Sequence, residues 1–368
     1  MLSKNELRCL LALQRVPNLG DASVKKLIKH VGSAEGVFKE KKQRLLQIEG
    51  IGAFRFRDFQ PKIILDEAEE ELKFIEDNDI QYHHFLNPEY PSRLKHCIDA
   101  PILIFSKGKF NLKNKYIISI VGTRNATSHG KRACEKLISE LAPLNPIIVS
   151  GFAYGIDIAA HTAAIKHGLQ TIVCLAHGLD QIYPKTHKKY VPQILDNGAL
   201  FTEFWSSDPF DRTNFLKRNR IIAGMSEATV VIESAEKGGS LVTADIANSY
   251  NREVFAIPGR PNDMFSLGCN NLIKTQQANL LSSAADLIYV MGWDLDKKPA
   301  KPVQTQLFSN LNEDEEKIYN YLKGKEKELL DQISIQCELP SHKTASVLFN
   351  LEIKGLVRPL PGKLFQAI

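Results

Sequence analysis

The middle of the chain alternates short apolar runs with segments of helical periodicity. The runs are rich in Val and Ile, as in YIISIVG at 116–122 and PIIVSG at 146–151, and a helical pattern follows each of them. Continuous apolar runs, rather than alternating ones, are typical of strands buried on both faces of a parallel sheet. We therefore expect a doubly wound α/β domain over 85–293, with ligands bound at the carboxyl ends of its strands.

The N-terminal part, residues 1–84, has a helical pattern. Its first half contains two Gly-bearing turns, within 16–33 and 48–54, that resemble tandem helix–hairpin–helix modules. In such modules the N–H groups of the hairpin contact phosphates without reading base sequence. A small helical domain with glycine turns accounts for the same residues equally well, so both interpretations stay open here.

The C-terminal part begins after Trp293. Residues 294–311 contain Pro, Lys and Gln without periodicity and are predicted to be a linker. Residues 312–368 combine three helical segments with a closing hairpin-like segment, which is typical of a winged helix. Residues 294–368 contain 11 cationic and 11 acidic residues, so this domain suits DNA binding and protein contact equally.

Composition excludes several classes of protein. The 368 residues are 43% hydrophobic and 24% charged, and no run of 18 apolar residues occurs, so no membrane association is expected. The start, MLSKNELRCL, lacks an apolar signal core, and the six cysteines are scattered without a CxxC pair. We therefore expect a cytoplasmic protein with no disulfide framework and no metal site.

The net charge of +5 is concentrated in the middle of the chain. Residues 85–293 contain 22 Lys or Arg and 17 acids, whereas the two flanks are each neutral. Three windows there hold cations and no acid: 100–134, 181–195 and 212–226. Segregated cations predict a polyanion-binding face, although three separately solvated loops would have the same composition.

Glycine-bearing loops follow three of the predicted strands. In these loops, backbone N–H groups and close approach of the chain favour phosphate binding. The candidate residues are Gly122 and Arg124, then Ser150 and Gly151, then Gly238, Gly239 and Ser240. Neither GxGxxG nor GxxxxGK[ST] is present, so we expect no dinucleotide cofactor and no ATPase activity.

The stretch FLKRNRIIAG, residues 215–224, crowds cations against an apolar run. Cations at a helix start oppose the helix dipole, and a nearby anion would offset that cost. We expect Lys217 and Arg218 to face outward, and Arg220 to face inward and pair with an acid such as Glu203 or Glu233.

Asp157 and His161 are four residues apart on one predicted helix face. Because no third ligand is near in sequence, we interpret them as a structural hydrogen-bonded pair rather than a metal site.

The motifs resemble those of the DNA processing protein A family, also called Smf. VGTRNATSHG, SGFAYGIDIAAH, TIVCLAHGLDQIYP, RNRIIAG, GGSLVTADIA, REVFAIPG and GCNNLIK occur in the family's order and spacing over about residues 85–290. The resemblance implies an extended Rossmann-like, mostly parallel sheet. It also implies a small helical, helix–hairpin–helix or SAM-like domain before the sheet and a winged-helix-like domain after it.

The resemblance further implies what such a chain does. Family members are bacterial cytoplasmic homodimers that bind single-stranded DNA entering during natural transformation, protect it and load the RecA recombinase, without catalysis. By motif position the phosphate contacts would be Arg124, Lys217, Arg218 and Arg220, with loop donors from Ser150, Gly151, Gly239 and Ser240. The glycine loops and basic windows add Gly122, Lys185, Asn219 and Gly238 to this predicted DNA-binding set.

Non-specific strand binding also calls for aromatic side chains on which bases can stack. The sequence offers Phe152, Tyr154, Tyr183 and Phe215 near the predicted pocket, and each is also a reasonable core residue.

Two alternatives remain at this stage. A phosphoribohydrolase of the LOG type shares a Rossmann-like core, and Asp245 falls near the position of that family's Glu, although the PGGxGTxxE loop is incomplete here. Such a carboxylate would stabilise an oxocarbenium-like centre. The other alternative is an adaptor whose basic face binds a protein.

Overall fold

The computed structural model describes residues 2–52, 60–293, 311–323, 325, 327–354, 356–360 and 363–367. The chain divides into two compact units, Met1–Leu295 and Asp296–Ile368. The predicted linker 294–311 lies outside the described residues except for Leu311, as does the end of the second predicted hairpin, 53–54. Within the described residues no helix is long and apolar enough to cross a membrane.

The larger unit begins with helices. In the described part of 2–77 these are α1 Lys4–Gln14, α2 Asp21–Val31, α3 Ala34–Lys39, α4 Lys42–Leu45 and α5 Pro61–Asp77. Helix α1 starts where the Ser3 hydroxyl accepts a hydrogen bond from the Glu6 N–H at 3.1 Å, which satisfies one of the free donors of the first turn. Helix α2 ends at Gly32, whose φ of +100° suits a residue without a Cβ. Helices α1 and α5 pack together through their apolar faces.

A nine-stranded sheet follows. Its order is β1-β2-β6-β5-β4-β3-β7-β8-β9, with β1 and β2 antiparallel and the others parallel. The strands are β1 Gln81–His84, β2 Leu103–Lys109, β3 Ile117–Val121, β4 Ile147–Ser150, β5 Thr171–Cys174, β6 Gly198–Thr202, β7 Ala228–Val231, β8 Glu253–Ala256 and β9 Asn279–Leu280. The mostly parallel sheet predicted from the apolar runs is confirmed. The antiparallel edge formed by β1 and β2 was not anticipated.

Helices cover both faces of the sheet, which is why its central strands are buried throughout. They are α6 Ser92–Lys95, α7 Ser128–Leu141, α8 Ile156–Lys166, α9 Val191–Asp196, α10 Asn214–Met225, α11 Gly239–Ser249, α12 Leu267–Lys274 and α13 Ala284–Met291. One apolar core lies under α7, α8 and α13, and a second lies under α6, α10, α11 and α12.

The helical part and the sheet share apolar packing. One core cluster joins side chains of α1, α2 and α5 to Leu103, Phe105 and Trp205. The indole N–H of Trp205 donates to the Gln14 side chain at 2.9 Å, and the Arg15 guanidinium lies over the Trp205 ring at 4.1 Å. The first strand, Gln81–His84, pairs with β2, so the sheet includes four residues that the sequence analysis assigned to the helical part.

The smaller unit has the predicted three helices and hairpin. Its described elements are α14 Glu313–Leu322, β10 Glu328–Leu329, α15 Leu330–Gln336, α16 Ser341–Ile353, β11 Val357–Leu360 and β12 Leu364–Ala367. Asn312 and Glu315 form a capping box at the start of α14. The three strands pair in the order β10-β12-β11 around a core that includes Ile318 and Leu348. This arrangement is a winged helix.

Candidate functional site

A cavity of about 220 Å³ lies where the strand order reverses. Strand β4, which follows β3 in the chain, pairs with one edge of β3, and β7 pairs with its other edge. The loops that leave the carboxyl ends of β3 and β7 therefore diverge and leave a crevice, which is the usual ligand position in doubly wound folds. The N-termini of α10 and α11 form the remaining walls.

The loop after β3 supplies one wall through Gly122 and Arg124. A Cβ on Gly122 would come within 2.5 Å of the Ile156 side chain, so the close packing of this loop on α8 requires glycine. Gly155, just before α8, has a φ of +80°, and a Cβ there would lie within 2.1 Å of the Thr123 carbonyl oxygen. These close contacts hold the loop in one conformation, in which the Arg124 side chain is exposed at the cavity mouth.

Glu233, two residues after the end of β7, holds the β3 loop in place. Its carboxylate accepts the Thr127 N–H at 2.8 Å and the Thr127 hydroxyl at 2.6 Å, and its carbonyl accepts the Thr123 N–H at 2.8 Å. Thr127 is also the N-cap of α7. Since both carboxylate oxygens are already hydrogen-bonded, Glu233 is poorly placed to serve as a counter-charge for cations in the cavity.

The start of α11 faces the cavity through Gly238, Gly239 and Ser240. No side chain caps this helix, and its first turn contains no acid. Free N–H groups and the positive end of the helix dipole therefore point at the cavity without an acidic side chain in the first turn of the helix. Lys237, which the predicted set omitted, also lines the cavity and is exposed.

Arg218 lines the floor of the cavity, but the expectation that it faces outward is wrong. The residue is only 5% exposed, and its guanidinium donates to the Cys174 carbonyl at the end of β5. Its Nε is buried and has no hydrogen-bond partner. Burial lowers the pKa of Arg218, and the nearby Asp157 carboxylate acts in the opposite direction. The apolar half of α10 lies in the core, and this packing carries the arginine inward with it.

Arg220 faces inward and pairs with Glu203, as expected. It also contacts the Asp21 carboxylate at 3.3 Å and donates to the Asp99 carbonyl. Arg220 does not line the cavity. Its place in the predicted DNA-binding set therefore has no geometric support, and its contacts instead connect α10 to α2.

Four other predicted residues lie outside the cavity lining. Both lysines of this group are exposed. Lys217 is on α10, and Lys185 begins the 3-10 helix Lys185–Tyr190. The Ser150 hydroxyl is buried and donates to the Ile120 carbonyl at 2.6 Å. A Cβ on Gly151 would come within 2.3 Å of both Arg218 and Asp157, so this glycine keeps the space between those two side chains open.

The predicted hydrogen bond between Asp157 and His161 is wrong. His161 instead contacts the Gly151 carbonyl at 2.6 Å and the Thr171 hydroxyl at 2.7 Å, and burial lowers its pKa to about 4. Asp157 accepts the Ala153 N–H at 3.3 Å and lines the cavity. Among the described residues, no group of three or more His, Cys, Asp or Glu side chains is placed to hold a metal ion.

Aromatic side chains lie beside the cavity. The Phe215 ring is 5.2 Å from the Arg124 guanidinium, and it packs edge-on against Tyr183 and Phe210 at centroid distances of 5.9 and 5.8 Å. Tyr183 and Phe210 are 42% and 43% exposed, which gives the cavity an accessible aromatic margin. Phe210 was missed because it lies in a segment without periodicity. Of the other two candidates, Phe152 is buried. Tyr154 is exposed, and its hydroxyl accepts a hydrogen bond from the Thr186 hydroxyl.

Fold and site together define a doubly wound α/β protein with a basic, glycine-walled cavity at its switch point. The chain belongs to the DNA recombination-mediator protein A family, whose model matches residues 81–292. A model of the DprA winged helix domain matches residues 299–363.

One relative covers nearly the whole chain. The chain is 30% identical to protein Smf of Synechocystis sp. over 99% of this chain and 100% of that protein. It is 38% identical to the DNA processing protein DprA of Streptococcus pneumoniae over 54% of this chain and 70% of that protein.

Two solved structures are similar as well. The X-ray structure of DprA from Streptococcus pneumoniae matches with a TM-score of 0.65 and 30% identity, covering 78% of this chain and 98% of that one. A structure of DNA processing protein A from Helicobacter pylori, described for its single-stranded DNA binding mode, matches with a TM-score of 0.52 and 29% identity. It covers 57% of this chain and 95% of that one.

Proposed function

We propose that the chain binds single-stranded DNA at the switch-point cavity without reading its sequence. The observation that carries this proposal is the convergence of Arg124, Lys237 and Arg218 on the uncapped start of α11. Cations and free backbone N–H groups bind phosphate oxygens, which every nucleotide presents in the same way. The cavity thus suits the repeating backbone of a strand rather than particular base edges.

The aromatic margin supports a single strand over a duplex. Exposed Tyr183 and Phe210 beside the cavity offer faces on which unpaired bases can stack, and stacking tolerates any base. Paired bases in a duplex do not present free faces. The Helicobacter pylori relative, described for its single-stranded DNA binding mode, is consistent with this ligand.

For the cellular role, we propose a cytoplasmic homodimer that protects incoming single strands during natural transformation and loads the RecA recombinase on them. The family's description as a recombination mediator supports this role. RecA loading is tested by following filament assembly on strands already coated with single-stranded DNA-binding protein. We expect the chain to shorten the lag before assembly; an unchanged lag would contradict the loading role.

We propose that the role is non-catalytic. Asp245, the carboxylate on which the phosphoribohydrolase alternative depends, is exposed on α11 and does not line the cavity. Incubation with nucleoside monophosphates is therefore expected to release no free base, and release of base would overturn this part of the proposal.

The binding proposal is tested with labelled single-stranded oligonucleotides of several sequences at increasing salt. We expect the logarithm of the binding constant to fall linearly with the logarithm of salt, by about 0.7 for each phosphate contact. Arg124→Gln is expected to weaken binding to all sequences alike and to reduce that slope. Its matched control is Lys109→Gln, since Lys109 is exposed at the opposite end of the sheet, where β2 pairs with the start of β6.

A flat salt response would contradict phosphate binding and favour the adaptor alternative. Equal effects of the two substitutions would show that general charge, rather than this cavity, holds the strand.

A further inference from the structure

The floor of the cavity holds an incompletely satisfied charge. Arg218 is more than nine-tenths buried, its Nε has no hydrogen-bond partner, and it lines the cavity. Among the described residues, no carboxylate lies within the 4.0 Å ion-pair distance of its guanidinium. The Asp157 carboxylate, which also lines the cavity, offsets part of this charge from beyond that distance, so an anion that reaches the guanidinium gains a charge-assisted hydrogen bond.

A second, independent set of donors points into the same cavity. Helix α11 has 11 residues, its N-cap Gly238 provides no side-chain cap, and Gly239 and Ser240 begin the helix at the cavity wall. A Cβ on Gly239 would meet no atom within 4 Å, so the space in front of this helix start is open. Helix N-termini with free N–H groups bind phosphate in many folds.

The size of the cavity limits what these donors hold. At about 30 Å³ for each water, its 220 Å³ corresponds to about seven water molecules. This is room for one phosphate group with part of its sugar. Phe215, Ile222 and Val121 supply apolar walls beside the polar floor. The donors therefore converge on one phosphate rather than being spread along a strand.

We infer that the cavity binds a single nucleoside 5′-monophosphate as a free ligand, with its phosphate held by Arg218 and the start of α11. The inference rests on the proposed function, because the same cavity takes a phosphate of the strand. Free nucleotide and strand consequently compete for one site. Strand occupancy would then respond to the local concentration of free nucleotides.

The test uses the full chain and thymidine 5′-monophosphate as the probe. Calorimetric titration is expected to show saturable binding of one nucleotide per chain, and the nucleotide is expected to displace a labelled oligonucleotide competitively. Thymidine, which lacks the phosphate, is expected not to bind. Inorganic phosphate is expected to bind more weakly than the nucleotide, because it makes no contact with the apolar walls.

A pair of substitutions at one residue locates the site. Gly239→Pro removes one N–H at the first helical position, where proline is well tolerated, and the preceding Gly238 already has the φ of −141° and ψ of 148° that proline favours. Gly239→Ala keeps the N–H and adds a methyl group in open space. We expect Gly239→Pro to weaken nucleotide binding about tenfold, as for loss of one charge-assisted hydrogen bond, and Gly239→Ala to change it little.

The outcomes separate this inference from the proposed function. Binding of the oligonucleotide without binding of the nucleotide overturns the inference alone. Failure of both ligands to bind overturns the proposed function with it. Equal nucleotide affinity in the two Gly239 variants, or binding of thymidine as tight as that of its monophosphate, also overturns the inference. Should Gly239→Pro not fold, Arg124→Gln replaces it, with the same expected direction of change.

Discussion

Two arginines of α10 lie two positions apart and end in opposite surroundings. Arg220 contacts two carboxylates, Glu203 and Asp21, and a backbone carbonyl. Arg218 has one backbone carbonyl and an Nε without a partner. A buried cation whose charge is matched by acids holds two parts of a protein together. A buried cation that is incompletely matched, beside an open cavity, is placed to receive an anion from outside.

Helix geometry places these arginines on different faces. At 3.6 residues per turn, two positions correspond to about 200°, so the two side chains leave opposite sides of α10. One side looks into the crevice at the switch point, and the other looks toward α2 and its acidic residue Asp21. The comparison therefore predicts separate consequences for stability and for ligand binding.

The largest expected effect is on stability. Arg220→Met leaves the Glu203 and Asp21 side chains, which are 12% and 23% exposed, without their cation, and loss of one partner of a buried ion pair costs about 3–5 kcal/mol. Arg218→Met removes a favourable charge from Asp157, but the two side chains form no ion pair within 4.0 Å, so we expect a smaller loss of stability and a marked loss of affinity for single strands. Urea unfolding and strand binding of both variants check this. Equal losses of stability in the two variants would contradict the different roles assigned to Arg220 and Arg218.

The next effect concerns pH. Burial raises the pKa of Glu203 to about 7, and burial also raises the pKa of Asp21, which shares Arg220 with it. A Glu in the unfolded chain titrates near 4.3, so between about pH 4.5 and pH 7 the folded state holds a proton that the unfolded state releases. This stabilisation is present in full below about pH 4.5 and is lost as the pH rises through 7.

We therefore expect the free energy of unfolding to fall by about 2–3 kcal/mol from pH 5 to pH 8, and Glu203→Gln to reduce that fall. Urea unfolding at four pH values measures it, with Lys109→Gln, at an exposed surface position, as the comparison that should keep the wild-type slope. A Glu203→Gln protein with an unchanged slope would assign the pH dependence elsewhere.

The smallest expected effect is at the margin of the cavity. Lys217 is exposed between two cavity-lining residues and carries no ion pair among the described residues. An exposed cation near a strand contributes one screened phosphate contact, so Lys217→Gln is expected to weaken binding two- to threefold and to reduce the salt slope by about 0.7. Lys109→Gln is again the control. A loss of strand affinity as large as that of Arg218→Met would indicate that the strand binds outside the cavity.

Most of the architecture was predictable because its signals are local. Apolar runs specified β3, β4, β5, β7 and β8, and the glycine loops after β3 and β7 were placed correctly at the cavity. The antiparallel β1 and β2 were missed because their pairing depends on distant partners: β2 pairs with β6, nearly a hundred residues later. Lys237 was within reach of sequence reasoning, since it precedes the glycine pair that opens α11.

The sequence by itself determined the sheet, its glycine loops and the presence of cations at the start of α10. Composition and periodicity act over short stretches, so these features required no knowledge of distant contacts. The sequence predicted that Arg220 pairs with an acid such as Glu203, but only the tertiary structure added Asp21, because that residue is 199 positions earlier in the chain. The tertiary structure also decided that Arg218 is buried and still lines the cavity. Its position depends on how α10 packs between the end of β5 and the cavity.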